Sequence, residues 1–283
     1  MSGKLVICPT PIGNLADMPP RALEALRTVD AVLAEDTRVT GKLLTAFDIS
    51  RRIERLDENV MAERASRIVE RIQAGETIAY CTDAGMPGVS DPGLRLVDAA
   101  RDAGVAVEVI PGPTAVATAY VASGFSCPRF YFGGFFPRKA GERTRALAVT
   151  ETLDAVSLFY ESPHRIAAAL AAVAEAFPKR RVAVCRELTK LHEEVVRGEA
   201  SELAAAFAAR EAAGEIRGEI VLVIDAAGDD ERESQRVDAH DAATQRAQEL
   251  LDAGELSRKD IARKLRDEFG IARNEAYGIV QSL

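Results

Sequence analysis

Four short segments of the sequence are rich in glycine, proline or acidic residues, a composition that suits ligand binding. They span residues 9–15, 34–38, 82–93 and 110–115, and each follows an apolar run that predicts a β-strand. Glycine lets a backbone approach a ligand closely, and proline fixes the shape of a loop. Any single segment could be an ordinary turn between a strand and a helix. Ligands of open α/β sheets bind beyond the carboxyl ends of the strands, so four such loops at one edge predict a binding site there.

Several common chemistries are disfavoured by the motifs that the sequence lacks. No Gly-x-Gly-x-x-Gly motif follows the first predicted strand, and there is no phosphate-binding P-loop. These absences disfavour NAD enzymes, NTPases and methyltransferases of the common Rossmann type. His164, His192 and His240 lie far apart and show no metal-ligand spacing, so no metal is expected. No Gly-x-Ser-x-Gly sequence supports a nucleophilic serine.

The cysteines and the apolar segments indicate the compartment. The four cysteines contain no Cys-x-x-Cys pair, and Cys8, Cys81 and Cys185 lie in apolar runs where buried, reduced thiols are expected. The longest apolar runs are too short to cross a membrane, and the run at 5–8 is too short for a signal peptide. We therefore expect a reducing, cytoplasmic environment.

The charge distribution limits how the chain could bind nucleic acid. Its 283 residues carry a formal net charge of -8, which argues against a protein that coats nucleic acid non-specifically. Residues 113–224 carry 14 basic and 13 acidic residues, whereas the segments before and after them are acidic. An anionic partner is therefore expected to bind the central part of the chain.

The alternation of strand-like runs with helical patterns predicts an α/β fold. We expect one α/β domain at residues 1–112 and a second at 113–225, divided where Pro-Gly-Pro interrupts the pattern. Residues 226–241 are polar and acidic, which is typical of a linker. Residues 242–283 predict two or three short helices that resemble a small helix-turn-helix bundle.

Further motifs in the second half of the chain complete an ordered set. They are Gly-Phe-Phe-Pro-Arg at 134–138, Phe-Tyr-Glu-Ser-Pro-His-Arg at 159–165, Arg-Glu-Leu-Thr-Lys at 186–190 and Arg-Gly-Glu-Ile-Val at 217–221. Together with the four loops, these motifs resemble those of the tetrapyrrole methylase superfamily in order and spacing over residues 4–225. Within it they are similar to the bacterial 16S ribosomal RNA cytidine 2'-O-methyltransferases.

That resemblance implies two α/β domains, with S-adenosylmethionine folded into the cleft between them, and a homodimer. The cofactor is a sulfonium cation with adenosine and amino-acid ends, so it needs backbone groups and an apolar pocket rather than a pyrophosphate cradle. Relatives often carry a small threonine where Met86 stands, so the Met86 side chain is expected to narrow the pocket. The family's cofactor contacts correspond to Ile12, Gly13, Ala84, Gly85, Met86, Val89, Thr114, Ala115, Tyr160, Glu161 and Leu188.

The resemblance also implies methyl transfer to a ribose hydroxyl. Such a hydroxyl is a weak nucleophile and needs a base or a strongly orienting hydrogen bond. Arg38 and Lys190 could orient the substrate or contact phosphate. Alternatively, residues 35–38 form an ion-paired turn beside a dimer interface. The sequence leaves four candidate carboxylates for the base, namely Glu35, Asp36, Glu161 and Glu187.

Basic residues beside two phenylalanines predict a contact with single-stranded RNA. Phe135 and Phe136 precede the densest basic stretch outside the tail, which suits stacking on bases and contact with phosphates. A solvated loop and helix face is the alternative. The basic residues within 256–273 could also contact RNA, or pack on a partner subunit. The candidate RNA contacts are Arg138, Lys139, Arg143, Arg145 and Arg165.

These expectations define one activity and two alternative functions. The resemblance implies 2'-O-methylation of a cytidine in the decoding region of 16S ribosomal RNA, with the assembled 30S subunit as substrate and no membrane partner. A methylase of a corrin or porphyrin precursor shares the fold and the cofactor but needs a cleft shaped for a macrocycle. A non-catalytic RNA-binding assembly factor keeps the pocket without turnover.

Overall fold

Two five-stranded sheets organise the larger of two structural units. The computed structural model of the protein describes residues 3–254 and 256–283. The larger unit is Met1–Ala226 and the smaller unit is Ala227–Leu283. Both sheets belong to the larger unit, and its division at residue 112 stays a prediction. Among the described residues, no helix combines the length and the apolar character that a membrane span requires.

The first sheet is entirely parallel, with strand order β3-β2-β4-β1-β5. Its central strands read as continuous apolar runs, as expected for strands that are covered on both faces. Its strands are β1 (Lys4–Ile7), β2 (Ala31–Ala34), β3 (Ile53–Arg55), β4 (Ile78–Cys81) and β5 (Ala106–Val109).

Helices cover both faces of this sheet, as the alternating pattern predicted. Alternate side chains of one strand point to opposite faces. In β1, Leu5 therefore packs with α3 and α4, whereas Val6 packs with α1 and α2. The buried positions Met61 and Ile68 lie on the apolar stripe of α3. The four helices are α1 (Pro20–Thr28), α2 (Thr37–Ala46), α3 (Glu58–Gln73) and α4 (Gly93–Asp102).

The second sheet is mixed, with strand order β6-β7-β10-β8-β9. Only β6 and β7 are parallel, and the remaining neighbours are antiparallel. Helices α6, α7 and α8 cover one face, and α5 covers the other. Its elements are α5 (Ala115–Ser123), β6 (Phe130–Phe135), α6 (Ala140–Thr152), β7 (Val156–Glu161), α7 (Ile166–Ala176), β8 (Arg181–Arg186), β9 (Glu194–Glu199), α8 (Ala200–Ala212) and β10 (Ile220–Ile224).

The smaller unit consists of α9 (Asp229–Ala253), α10 (Arg258–Phe269) and α11 (Arg273–Ser282). These helices pack around a core that includes Ile261 and Ile279. The segment 226–241, predicted to be a linker, is largely helical because α9 begins at Asp229. Its acidic residues occupy the first turns of α9, where negative charge suits the positive end of the helix dipole. The acidic segment is therefore helical over most of its length, and its role as a linker stays a prediction.

Candidate active site

A cavity of about 450 Å³ lies among the loops at the carboxyl ends of β1, β2 and β4 and the ends of β6, β7, β8 and β10. This volume is typical of a site for a small molecule. The wall contains every predicted cofactor contact except Gly13. Those residues are Ile12, Ala84, Gly85, Met86, Val89, Thr114, Ala115, Tyr160, Glu161 and Leu188.

Two of the predicted loops are tied together by backbone hydrogen bonds. The Thr10 amide donates to the Gly85 carbonyl at 2.9 Å, and the Gly85 amide donates to the Thr10 carbonyl at 3.0 Å. Gly85 has φ +84°, and a Cβ atom there would lie 3.2 Å from Ile12 Cγ2. This position therefore favours glycine both for its conformation and for its close packing. The pairing fixes the relative positions of Ile12 and Gly85 in the cavity wall.

Gly13 lies beside the cavity, against the loop that follows β8. A Cβ atom on Gly13 would lie 2.5 Å from Lys190 Cγ. Lys190 Nζ is held by Glu187 Oε1 at 2.8 Å and by Glu219 Oε2 at 2.9 Å. The hydrogen bond from Lys190 lowers the pKa of Glu187 below its ordinary value. Glu187 and Lys190 therefore form an ion pair next to the cavity rather than in its wall, and the lowered pKa makes Glu187 a weaker base.

Only one member of the predicted Glu35–Asp36–Arg38 group lines the cavity. Glu35 Oε2 accepts a hydrogen bond from Thr82 Oγ1 at 3.1 Å. Burial raises the pKa of Glu35, with a smaller lowering effect from Thr82 and further raising by Asp83 and Asp91.

Asp36 and Arg38 instead form an exposed ion pair outside the cavity wall. Asp36 is the N-cap of α2, and its carboxylate accepts the Arg38 amide at 2.8 Å and Arg38 Nη2 at 2.6 Å. These bonds lower the pKa of Asp36. The Arg38 side chain is 85% exposed. The ion-paired turn proposed as the alternative therefore describes these two residues.

Glu161 is a buried carboxylate that already has its counterion. Its side chain is 2% exposed and pairs with Arg165, whose Nε and Nη2 atoms lie 2.7 and 2.6 Å from its two oxygens. The Ser162 amide also donates to Glu161, and Arg165 donates to the Phe136 carbonyl. Arg165, predicted to contact RNA, is thus held in the structure beneath the cavity wall.

Asp91 is a cavity residue that was not predicted from the sequence. Its carboxylate accepts the amides of Gly88 at 2.7 Å and Gly93 at 2.8 Å. Burial raises the pKa of Asp91, while these amide bonds lower it to a lesser extent. The bonds hold a turn in which Ser90 has φ +70°. The signal was present in the Ser-Asp-Pro-Gly sequence, since aspartate before Pro-Gly commonly stabilises such turns.

The cavity wall is acidic. It contains Glu35, Asp83, Asp91, Glu161 and Glu219, and within the described residues no Lys or Arg lines it. Apolar side chains, including Ile12, Val89 and Leu188, supply much of the remaining surface. Carboxylates beside apolar groups favour a ligand that carries positive charge or donates hydrogen bonds.

The two neighbouring phenylalanines have different environments. Phe135 lines the cavity and is 63% exposed, whereas Phe136 is 1% exposed in the core. The joint role proposed for both residues therefore cannot hold for Phe136.

The basic residues that follow these phenylalanines are dispersed. Arg138 and Lys139 are exposed, and Lys139 pairs with Glu142 at 3.3 Å. Arg143 lines a groove between α6 and α7, and Arg145 is exposed on α6. Thus only Arg138 and Lys139 lie within a few residues of the cavity wall at Phe135.

No metal-binding cluster emerges from the His, Cys, Asp and Glu side chains in the described part of the chain. The cysteines are free thiols, and Cys8, Cys81 and Cys185 are buried, as predicted from their apolar surroundings. The candidate site is therefore a cavity of carboxylates, backbone groups and apolar side chains.

Comparison with known proteins identifies the protein class to which this fold and this cavity belong. The sequence profile of the tetrapyrrole (corrin/porphyrin) methylases matches residues 4–204. The crystal structure of uroporphyrin-III-C-methyltransferase from Thermus thermophilus covers 79% of this chain and 94% of its own, with a TM-score of 0.54 and 19% identity. At that identity it supports the fold alone. The chain belongs to the tetrapyrrole methylase family.

Sequence relatives assign the chain to a narrower group within this family. Ribosomal RNA small subunit methyltransferase I of Mycobacterium tuberculosis (strain ATCC 25618 / H37Rv) is 46% identical over 226 residues, which are 79% of this chain and 78% of that protein. The protein of the same name from Thermotoga maritima is 41% identical over 76% of this chain and 96% of its own. Within the family, the chain therefore belongs to the ribosomal RNA small subunit methyltransferase I group.

Proposed function

We propose that the protein is an S-adenosylmethionine-dependent methyltransferase that acts on the 2'-hydroxyl of a cytidine in the decoding region of 16S ribosomal RNA. The identity to the relatives named ribosomal RNA small subunit methyltransferase I, over most of both chains, is the observation that supports an RNA substrate. The assembled 30S subunit is the proposed substrate because an acidic chain needs a shaped surface, rather than bulk positive charge, to bind RNA.

The cavity suits the proposed cofactor. Its carboxylates favour a sulfonium and an ammonium group, and the side chains of Ile12, Val89 and Leu188 suit a nucleoside. The close packing of Gly85 against Ile12, with its backbone paired to Thr10, fixes the shape of this part of the wall. When bound, the cofactor supplies an electrophilic methyl group. The chain's own residues must then hold the ribose in line and remove a proton.

Glu35 is the proposed base. Asp36, Glu161 and Glu187 each pair with an Arg or Lys, which weakens them as proton acceptors. Glu35 instead lines the cavity with a neutral donor, Thr82 Oγ1, on one oxygen. Burial raises its pKa, which makes it a stronger base than an exposed glutamate. In this proposal Glu35 accepts the proton of the 2'-hydroxyl, and Thr82 orients its carboxylate.

Contacts with phosphate are proposed for Arg138, Lys139 and Arg145, which are exposed. Arg143 is a weaker candidate because it lines the groove between α6 and α7. Arg165 is proposed to position Glu161, not to contact RNA directly. The basic residues of the tail remain proposals for RNA or for a partner subunit.

A homodimer is proposed on an apolar patch formed by α5 and the edge strand β6. Val121 is 75% exposed, and Phe130 and Tyr131 are also exposed. Tyr120 contacts Phe130 with ring centroids 5.0 Å apart, which joins α5 to β6. An exposed edge strand with apolar side chains is a favourable surface for association. We expect light scattering to give twice the monomer mass, and Val121→Asp to give a folded monomer. A monomeric native protein would exclude the dimer.

A direct assay tests the activity. The protein is incubated with labelled S-adenosylmethionine and either 30S subunits from a strain lacking this chain or tetrapyrrole precursors. We expect label on one cytidine ribose of 16S RNA, located by mass spectrometry, and none on the precursors. Label on a precursor alone would support the corrin or porphyrin methylase. No heat of binding with S-adenosylmethionine in calorimetry, together with no label on any substrate, would support the assembly factor. Loss of one ribose methyl in RNA from the deletion strain, restored by the cloned chain, would show that the chain is required for this modification in the cell.

A further inference from the structure

Phe135 has a role in the cavity that the proposed activity does not yet explain. It is 63% exposed, which is unusual for a phenylalanine at the end of a strand, and it lines the cavity wall. The role of this ring rests on the proposed function and concerns how the target nucleotide is held.

A β-bulge directs Phe135 into the cavity. Phe132 pairs with Leu158, and Phe135 pairs with Tyr160, so three steps along β6 match two steps along β7. The extra residue falls at Gly133-Gly134. Gly134 has φ +73°, and a Cβ atom on Gly133 would lie 2.2 Å from Phe159 Cε1. Bulges of this kind re-aim side chains next to active sites.

The bulge determines which of the two adjacent phenylalanines faces the cavity and which faces the core. Successive residues of a regular strand alternate between faces, so without the extra residue Phe135 would point towards the core that contains Phe159. With the bulge, Phe136 takes that place, with its ring centroid 5.3 Å from that of Phe159. Phe135 shares the cavity face with Tyr160 instead.

Neighbouring rings hold the Phe135 ring in place. Its centroid lies 5.5 Å from that of Tyr160 at an interplanar angle of 68°, and Tyr160 also contacts Phe132 at 4.8 Å. Edge-to-face contacts of this kind are favourable for aromatic pairs. Phe135 is thus a supported ring with a large open surface at the cavity.

We propose that Phe135 is the stacking platform for the target base. A ribose hydroxyl can enter the cavity only if its nucleotide leaves the stacked strand, and an unstacked base needs a new partner for its face. An exposed aromatic ring supplies that partner. Arg138 and Lys139 follow Phe135 by three and four residues and can contact the flanking phosphates.

Replacement of the ring tests this assignment on the full-length protein with 30S subunits. Phe135→Ala is expected to raise KM for 30S subunits about tenfold, the effect of losing one base stack. Phe135→Trp is expected to restore KM, whereas Phe135→Leu, which is apolar but not aromatic, is not. The affinity for S-adenosylmethionine, measured by calorimetry, is expected to stay within about twofold of the wild type in all variants, since the ring contacts the base and not the cofactor.

Several outcomes would overturn the proposal. A KM for Phe135→Leu equal to that of the wild type would exclude stacking. A fall in cofactor affinity as large as the rise in KM would assign the ring to the adenine of the cofactor. Thermal unfolding checks that each variant is folded, and an unchanged KM in a folded Phe135→Ala variant would also refute the role. Failure of the proposed function itself differs from these results, because the wild type would then not methylate 30S subunits.

Discussion

The side chain of Lys190 lies directly against the backbone of Gly13, so that a Cβ atom on Gly13 would sit 2.5 Å from Lys190 Cγ. The contact joins the loop after β1 to the loop after β8, one from each sheet. Lys190 is itself fixed by Glu187 and Glu219. The absence of a side chain at Gly13 therefore permits an ion-pair cluster to close beside the cavity.

Gly13→Ala is expected to displace the Lys190 loop, because Lys190 Cγ lies near the rigid base of that side chain. We expect a loss of about 1–3 kcal/mol in the free energy of unfolding, typical of overpacking, and weaker binding of S-adenosylmethionine. Urea unfolding and calorimetry measure the two effects. Gly141→Ala is the matched control, since nothing lies within 4 Å of its added Cβ atom on α6. An equal free energy of unfolding and an equal affinity for S-adenosylmethionine in the two variants would contradict the close packing at Gly13.

Glu35→Gln is expected to abolish the acid limb of the pH–rate profile. If Glu35 is the base, its ionised form is active, so the wild-type rate falls as pH decreases through its pKa. That pKa is raised above the ordinary value of 4.5, so the limb lies at correspondingly higher pH. The variant is expected to lose about 10²–10⁴-fold in kcat. Steady-state rates across the pH range measure this, and an unchanged limb in Glu35→Gln would assign the base elsewhere.

The same substitution is expected to stabilise the protein near neutral pH. A carboxyl group whose pKa is raised on folding contributes stability below its unfolded pKa, and that contribution is lost as pH rises through the folded pKa. The wild type should therefore match Glu35→Gln near pH 4 and be less stable at pH 7, where its Glu35 is ionised. Urea unfolding at both values checks the sign. A variant that is less stable than the wild type at pH 7 would mean that the ionised Glu35 is stabilised by folding.

Arg165→Met is expected to destabilise the fold because it leaves a buried carboxylate without its counterion. We expect a loss of about 3 kcal/mol, at the lower end for a buried pair because the Arg165 side chain is 27% exposed. Adding Glu161→Gln should recover part of the loss, which a double-mutant cycle from urea unfolding measures. A loss below about 1 kcal/mol would show that Glu161 does not depend on Arg165.

Arg138→Ala and Lys139→Ala are expected to weaken binding of 30S subunits in a salt-dependent way. Each phosphate contact that is lost should reduce the slope of log binding constant against log salt by about 0.7, as for single-stranded nucleic acid. Cofactor affinity should stay unchanged. Lys179→Ala is a control, because Lys179 precedes β8 at the end of the sheet away from the cavity. An equal change of slope in the control would point to non-specific attraction.

Much of the first sheet could be predicted from the sequence because parallel, doubly covered strands are continuous apolar runs. β3 and β9 were not predicted, since β3 has only three residues and β9 contains charged residues at Glu194 and Arg197. The strand order also could not be predicted, because it depends on which runs pair in space. The mostly antiparallel pairing of the second sheet depends on which strands become neighbours, and no local sequence pattern indicates it.

The residues of the site could likewise be predicted only where the signal is local in the sequence. The loops that contain Gly85 and Thr114 carry their own turn signals, and the sequence identified them. The pairing of Glu161 with Arg165 and the separation of Glu35 from Asp36 depend on side-chain directions, which only packing determines. The different environments of Phe135 and Phe136 depend on one extra residue in β6, and no pattern of hydrophobicity distinguishes two adjacent phenylalanines.

The carboxylate-lined wall also bears on how a catalytic cycle ends. In the proposed reaction a methyl donor with a positive sulfur becomes a neutral thioether, so its attraction to wall carboxylates such as Asp83 and Asp91 weakens at the moment when the spent molecule must depart. If S-adenosylmethionine is the donor, as proposed, these carboxylates favour both its entry and its exchange after the reaction. A basic residue in that wall would have the opposite effect and slow the entry of every new donor.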